Sequence, residues 1–154
     1  MKKINLTESP SQTKTIGKTL AEEIVKSGNG KKALVLGLRG YLGGGKTTFM
    51  QGFAKGLKIK EKVLSPTFII MRKFKINSSG FDFLYHFDCY RCLSEEEVIN
   101  IDFKKIINNP KNIVVIEWAE KIKSLLPKTT LWIDFDFIDC NKRKIVINFR
   151  NGKI

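Results

Sequence analysis

Cysteine, histidine and proline are all scarce in this chain, and acidic residues are outnumbered. Three cysteines, Cys89, Cys92 and Cys140, in 154 residues are an odd count, which argues against a complete disulfide framework and favours a reducing compartment. With one histidine, His86, the pair in "CYRC" lacks a standard second pair for a zinc site. No run approaches the roughly 18 consecutive apolar residues of a membrane-spanning helix. The opening "MKKINLTESP" is basic but has no apolar stretch behind it, so it does not read as a signal peptide. Repeats, linkers and low-complexity tracts are missing too. The expected setting is the cytoplasm, with no membrane contact.

Against 28 Lys and Arg the chain has 15 Asp and Glu, a net charge of +13. Such an excess suits a nucleic-acid partner, because Lys and Arg release counterions from phosphates. It is also the composition an A·T-rich genome encodes, being mostly Lys beside abundant Ile, Asn and Phe. The basic residues are spread along the chain rather than gathered in one run, and both readings stand.

Apolar, β-rich runs alternate with helical patterns. "ALVLGL" (33–38) reads as a strand buried on both faces. "KTTFMQGFAKGL" (46–57) reads as a helix, with Phe49, Phe53 and Leu57 on one side, and the stretch carrying Ile16, Leu20 and Ile24 as another that stops at "GNG". Strands are expected at 67–74, 81–88, 112–119, 130–138 and 143–150, the first two joined by the turn "NSSG" (77–80). A helix is expected over 93–109, with Ser94 as N-cap and Glu97 completing a capping box. This order predicts an α/β fold, one P-loop NTPase-like domain over residues 1–154, with a central mixed sheet flanked by helices.

The stretch "LGLRGYLGGGKTTF" (36–49) carries the chemistry. It fits G-x-x-x-x-G-K-[ST], with Gly40, Gly45, Lys46 and Thr47 in the fixed places, between a strand and a helix. Gly40, Gly43, Gly44 and Gly45 let backbone N–H groups converge on phosphate oxygens, and the helix N-terminus adds its positive dipole end. Lys46 should reach the β- and γ-phosphates, Thr47 should ligate Mg²⁺, and Thr48 can add an α-phosphate contact. A second carboxylate is needed at a neighbouring strand end. Asp88, closing "LYHFD", and Glu117, closing "IVVIE", are the candidates, since an acid after an apolar strand is costly unless it pairs or binds metal. Glu117 is the stronger metal-side candidate; Asp88 could act through water or orient the attacking water.

"GYLGGGKTTF", "SPTF" (65–68), "YHFDCYR" (85–91) and "IEWAE" (116–120) in this order resemble the TsaE family of small bacterial ATPases. The likeness runs from a T-x-x-[IL]-G at Thr13–Gly17 to the last hairpin. It implies a part in making threonylcarbamoyladenosine beside the tRNA anticodon, as an ATP- and Mg²⁺-dependent component working with TsaB- and TsaD-like proteins. The transfer to tRNA itself would belong to the TsaD-like partner. The resemblance also implies residue roles: Gly43 to Thr48 cradling phosphates with Thr47 on Mg²⁺, Glu117 as the second metal-side ligand and Asp88 as the catalytic carboxylate. Trp118 would flank the nucleotide, Gln12 and Thr13 would border the adenine, and Thr67 in "SPTF" would contact the γ-phosphate. Contact with tRNA would be indirect or through a basic surface; read by itself, "NKRK" (141–144) is a solvated hairpin turn, with a tRNA or nucleotide contact as the alternative. The chain departs from the family pattern at Tyr41, where Asp is usual, at Cys89 and Cys92, where Leu is usual, and at Asn100, where Gly is common. Tyr41 bears on the hydrolytic rate more than on nucleotide binding.

Competing readings are a small P-loop kinase of a metabolite or nucleoside, and a basic RNA-binding module with a structural nucleotide. A kinase usually carries an arginine-bearing lid, and Arg72, Arg91, Arg143 and Arg150 are scattered. His86 is expected to pack beside Asp88 rather than act as a base, and "CYRC" to be small buried side chains. Phe49, Phe53, Phe68, Phe83, Phe87 and Phe135 fall on apolar faces and are assigned to the core.

Overall fold

The computed structural model describes residues 1–64, 68–78 and 80–149. The apolar run at 33–38 becomes β2 (Leu34–Arg39), flanked on both sides by parallel neighbours, β5 (Asn112–Glu117) and β6 (Leu131–Phe137). Beyond β5 lies β4 (Phe83–Asp88), also parallel, and at that edge the antiparallel β3 (Met71–Lys75). On the other side β7 (Arg143–Asn148) and then β1 (Lys2–Thr7) add antiparallel strands. Among the described residues this is one seven-stranded mixed sheet, in the order β1-β7-β6-β2-β5-β4-β3. The four central strands are parallel, so their C-terminal ends share one edge, where α/β folds place ligands.

Alternate residues of the central strands enter two apolar layers. Leu36, Leu38, Ile113, Val115 and Ile133 face α1 (Pro10–Ser27) and α2 (Lys46–Gly56). Val35, Val114, Ile116 and Phe87 face α3 (Glu96–Ile99), α4 (Phe103–Asn108) and a 3₁₀ helix, Ala119–Leu125. Helices α1 and α2 cross at backbone contact: a Cβ at Gly52 would lie 1.9 Å from the Lys14 carbonyl oxygen, and one at Gly17 would lie 2.3 Å from that of Phe49. This crossing couples the start of α1 to the phosphate loop.

Several local expectations change. The helix expected over 93–109 is broken: α3 and α4 are separated at Asp102, whose φ of 53° is left-handed. Ser94 does not cap it; α3 begins after Glu95 without a side-chain cap, and the Glu97 carboxylate accepts from the Leu93 N–H instead. The strand expected from residue 67 begins at Met71. Phe68 is not in the core: it is 90% exposed, with the Arg91 guanidinium 5.1 Å from its ring centroid, and Phe83 is half-buried. Thr67, Ser79 in the expected turn, and Arg150 lie outside the described residues.

Candidate active site

The phosphate loop needs glycine at both ends for physical reasons. Gly40 has φ 139°, and a Cβ there would come 2.4 Å from the Phe135 carbonyl oxygen. Gly45, at the N-cap of α2, has φ 96°. These conformations strain any side-chain-bearing residue. Lys46 follows at the first position of α2 and is 5% exposed. Its Nζ donates to the Gly40 carbonyl (2.5 Å) and the Tyr41 carbonyl (2.9 Å), and lies 4.3 Å from the centroid of the Trp118 ring. Burial pulls the Lys46 amine below the ordinary lysine value, opposed by the charges of Glu117, Glu120 and Asp88.

Asp88 and Glu117 are register partners, the last residues of β4 and β5. Both are buried and both line a cleft of about 260 Å³, together with Gly43, Gly44, Gly45, Lys46, Thr47, Thr48 and Trp118. The Tyr90 N–H donates to Asp88 Oδ1 at 2.9 Å, orienting that carboxylate. Glu117 Oε1 is 2.9 Å from His86 Nε2. Trp118 turns the chain away from β5 with a left-handed φ of 59°, and its ring lies 5.0 Å from that of Tyr90, tilted by 42°, at the cleft wall. The hydroxyl of Thr47 and the carboxylate of Glu117 are hard oxygen donors of the kind Mg²⁺ takes, together with phosphate oxygens and water.

A second cavity of about 140 Å³ shares Gly43, Gly45 and Thr48 with the cleft and is lined also by Ser9, Thr13, Asn141 and Arg143. Thr13 is buried there, its hydroxyl 3.0 Å from that of Thr7. Gln12 lines neither cavity; it is exposed, and its Oε1 accepts from the Glu8 N–H at 2.7 Å at the head of α1. Gly40 reaches the site through its carbonyl rather than as lining.

Sequence reasoning left Arg143 among scattered arginines and did not place it at the phosphate loop. Its Nε donates to the Gly43 carbonyl at 2.9 Å, tying the turn before β7 to the phosphate loop across 100 residues. Asn141 and Arg143 of the basic "NKRK" turn line the second cavity, while Lys142 pairs with Glu8 and Lys144 with Asp136. The Tyr41 side chain projects into solvent, 83% exposed, and only its backbone meets Lys46. His86 is completely buried on β4, two residues before Asp88, and its Nε2 meets Glu117 Oε1. Cys89 and Cys92 are free thiols, both pushed up mainly by burial.

A profile of the family described as "Threonylcarbamoyl adenosine biosynthesis protein TsaE" matches residues 7–145. The chain is a member of the TsaE family. Its TsaE relatives include the tRNA threonylcarbamoyladenosine biosynthesis protein TsaE of Bacillus subtilis, 39% identical over 82% of this chain and 73% of that one. The protein of the same name from Haemophilus influenzae is 33% identical over 80% of this chain and 75% of its own length. The crystal structure of Bacillus subtilis YdiB superposes with a TM-score of 0.69 at 32% identity, covering 96% of this chain and 84% of that one. The TsaE match includes the phosphate loop, Asp88 and Glu117, so the convergence of these residues lies within the matched span. Among the described residues of this TsaE chain, no helix is long and apolar enough to cross a membrane.

Proposed function

We propose that this chain is the Mg²⁺-dependent, ATP-hydrolysing subunit of a tRNA N6-threonylcarbamoyladenosine machinery, acting as one domain in the cytoplasm beside TsaB- and TsaD-like partners. The observation that carries this reading is the meeting of Lys46, Asp88 and Glu117 in one cleft at the C-terminal edge of the parallel strands. The names of its relatives supply the pathway.

In this reading the loop N–H groups hold the β- and γ-phosphates, and Lys46 turns from the carbonyls of Gly40 and Tyr41 to phosphate oxygens. Thr47 and Glu117 would hold Mg²⁺, which when bound offsets the charge that builds on the phosphates. Asp88, oriented by the Tyr90 N–H, positions the attacking water and takes its proton as the bond from the γ-phosphorus to the ADP oxygen breaks. Trp118 walls the cleft beside the Lys46 amine. Among the described residues the arginines are engaged elsewhere, Arg91 lying 5.1 Å from the Phe68 ring centroid, which favours hydrolysis over phosphoryl transfer to a small acceptor. Arg39 forms a two-pronged pair with Asp134, Arg72 lies against Phe74, and Arg143 is held by backbone carbonyls.

Reconstitution with TsaB- and TsaD-like proteins, tRNA, threonine, bicarbonate and ATP tests the proposal. Multiple-turnover modification should require this chain and be lost with Lys46→Ala, while the isolated chain hydrolyses ATP slowly and only with Mg²⁺. Equal modification without the chain would refute the role, and stoichiometric phosphate transfer to a small acceptor would install the kinase reading.

A further inference from the structure

Beneath the carboxylates lies a side chain that the proposed chemistry does not use. His86 is completely buried, on β4, two residues before Asp88. Its register partner on β5 is Val115, so Glu117, two residues further along, projects from the same face of the sheet. The imidazole Nε2 meets Glu117 Oε1 at 2.9 Å, while Nδ1 has no hydrogen-bond partner among the described residues.

An unpaired buried ring nitrogen is costly, on the order of 1–3 kcal/mol. On the sheet face that His86 shares, Leu84 on the same strand and Val115 beside it belong to the buried core, while Asp88 further along β4 and Arg72, the register partner of His86 on β3, are charged. A leucine would fill such a place without that cost. What a histidine adds over leucine is its polar contact, among the described residues made to an oxygen of Glu117, a residue that also lines the phosphate cleft. With Oε1 engaged from below, the carboxylate cannot turn freely about its last torsion, and Oε2 is the oxygen His86 leaves for the cleft. Buried donors to ligating carboxylates are a general means of orienting them, and their loss weakens metal affinity about 10–100-fold.

We propose that His86 is a positioning residue: it holds Glu117 from beneath so that a single carboxylate oxygen is presented to the Mg²⁺ of a bound nucleotide. The inference rests on the reading of Glu117 as the metal-side carboxylate. It requires only that the Nε2 hydrogen point at Glu117.

The experiment is titration of the purified full chain with a fluorescent adenine nucleotide, in EDTA and across a series of Mg²⁺ concentrations, with urea unfolding in EDTA alongside. His86→Leu should raise the Mg²⁺ concentration for half-maximal effect about tenfold, leaving metal-free nucleotide affinity within about twofold. His86→Gln, whose amide nitrogen lies about where Nε2 does, should recover most of the loss. Should the leucine variant not fold, His86→Asn takes its place, since its amide falls short of Glu117; it should show the loss and glutamine the recovery. A wild-type Mg²⁺ dependence in the variant without a donor, or parallel loss of metal-free binding, would overturn the proposal. Glu117→Gln separates the two layers of the argument. A strong Mg²⁺ defect there, beside a wild-type response without the histidine donor, places the failure on His86 alone. No defect in Glu117→Gln removes the metal-side reading of Glu117, and this inference with it.

Discussion

Gly52→Ala is the most direct probe of how the helical layer holds the site. The added methyl would lie 1.9 Å from the Lys14 carbonyl oxygen and 2.6 Å from the Lys14 C and Cα. These are backbone atoms of α1 and cannot rotate away. Restoring a normal separation of about 3.5 Å means parting the two helices by more than an ångström. Alanine's higher helix propensity returns about 1 kcal/mol, while overpacking costs about 1–3 kcal/mol and occasionally more. A clash this deep between two backbones belongs at or beyond the upper end, so the net destabilisation should be about 2 kcal/mol. That corresponds to a fall in Tm of roughly 4–8 °C for a chain of this size. Gly30→Ala is the control, because nothing lies within 4 Å of a Cβ there, and it should change stability by less than about 0.5 kcal/mol. Urea and thermal unfolding followed by circular dichroism measure both. Nucleotide affinity should fall with Gly52→Ala as well, since Thr13 of α1 and Thr48 of α2 share a cavity wall beside the loop. A Gly52→Ala protein as stable as wild type would refute the reading of a fixed, backbone-tight crossing.

Three further outcomes are expected. Tyr41→Asp should alter ATP hydrolysis by less than about twofold, because that side chain is exposed and outside the cleft; a much faster variant would mark Tyr41 as a brake. Arg143→Ala should weaken nucleotide binding several-fold by freeing the Gly43 carbonyl, a loss of about 1 kcal/mol readable by titration. Lys46 carries a pH dependence. Its folded-state value is lowered by burial, so the unfolded chain keeps this proton to higher pH. Stability of the nucleotide-free protein should therefore rise through the window between the lowered value and the ordinary lysine range. Affinity for triphosphate should fall across the same window, and Lys46→Arg should abolish that alkaline loss.

The site was legible where chemistry and periodicity coincide. The unbroken apolar run before the glycines announced β2, and acids closing two apolar runs announced Asp88 and Glu117 at adjacent strand ends. The strand β1 was not legible because its apolar residues face outward: Ile4 and Leu6 are exposed, and pairing with β7 holds the segment in place. The break between α3 and α4 follows from long-range anchoring, with Val98 and Phe103 both drawn into the layer under β5 at the expense of a continuous helix. Arg143 on Gly43 and His86 on Glu117 are contacts across 100 and 31 residues. They depend on strand order and register, which local pattern does not encode.

Because Asp88 and Glu117 are partners on adjacent parallel strands, with the Cys89 N–H continuing the ladder to the Glu117 carbonyl at 3.0 Å, their backbone separation is set by a ruler common to all sheets, about 4.8 Å. Loops around them, such as those that carry Tyr41 and the Cys89–Cys92 pair, can change without altering that interval. Sequence drift in this protein can therefore retune how fast the cleft is entered or covered while the spacing of its two acids stays the same.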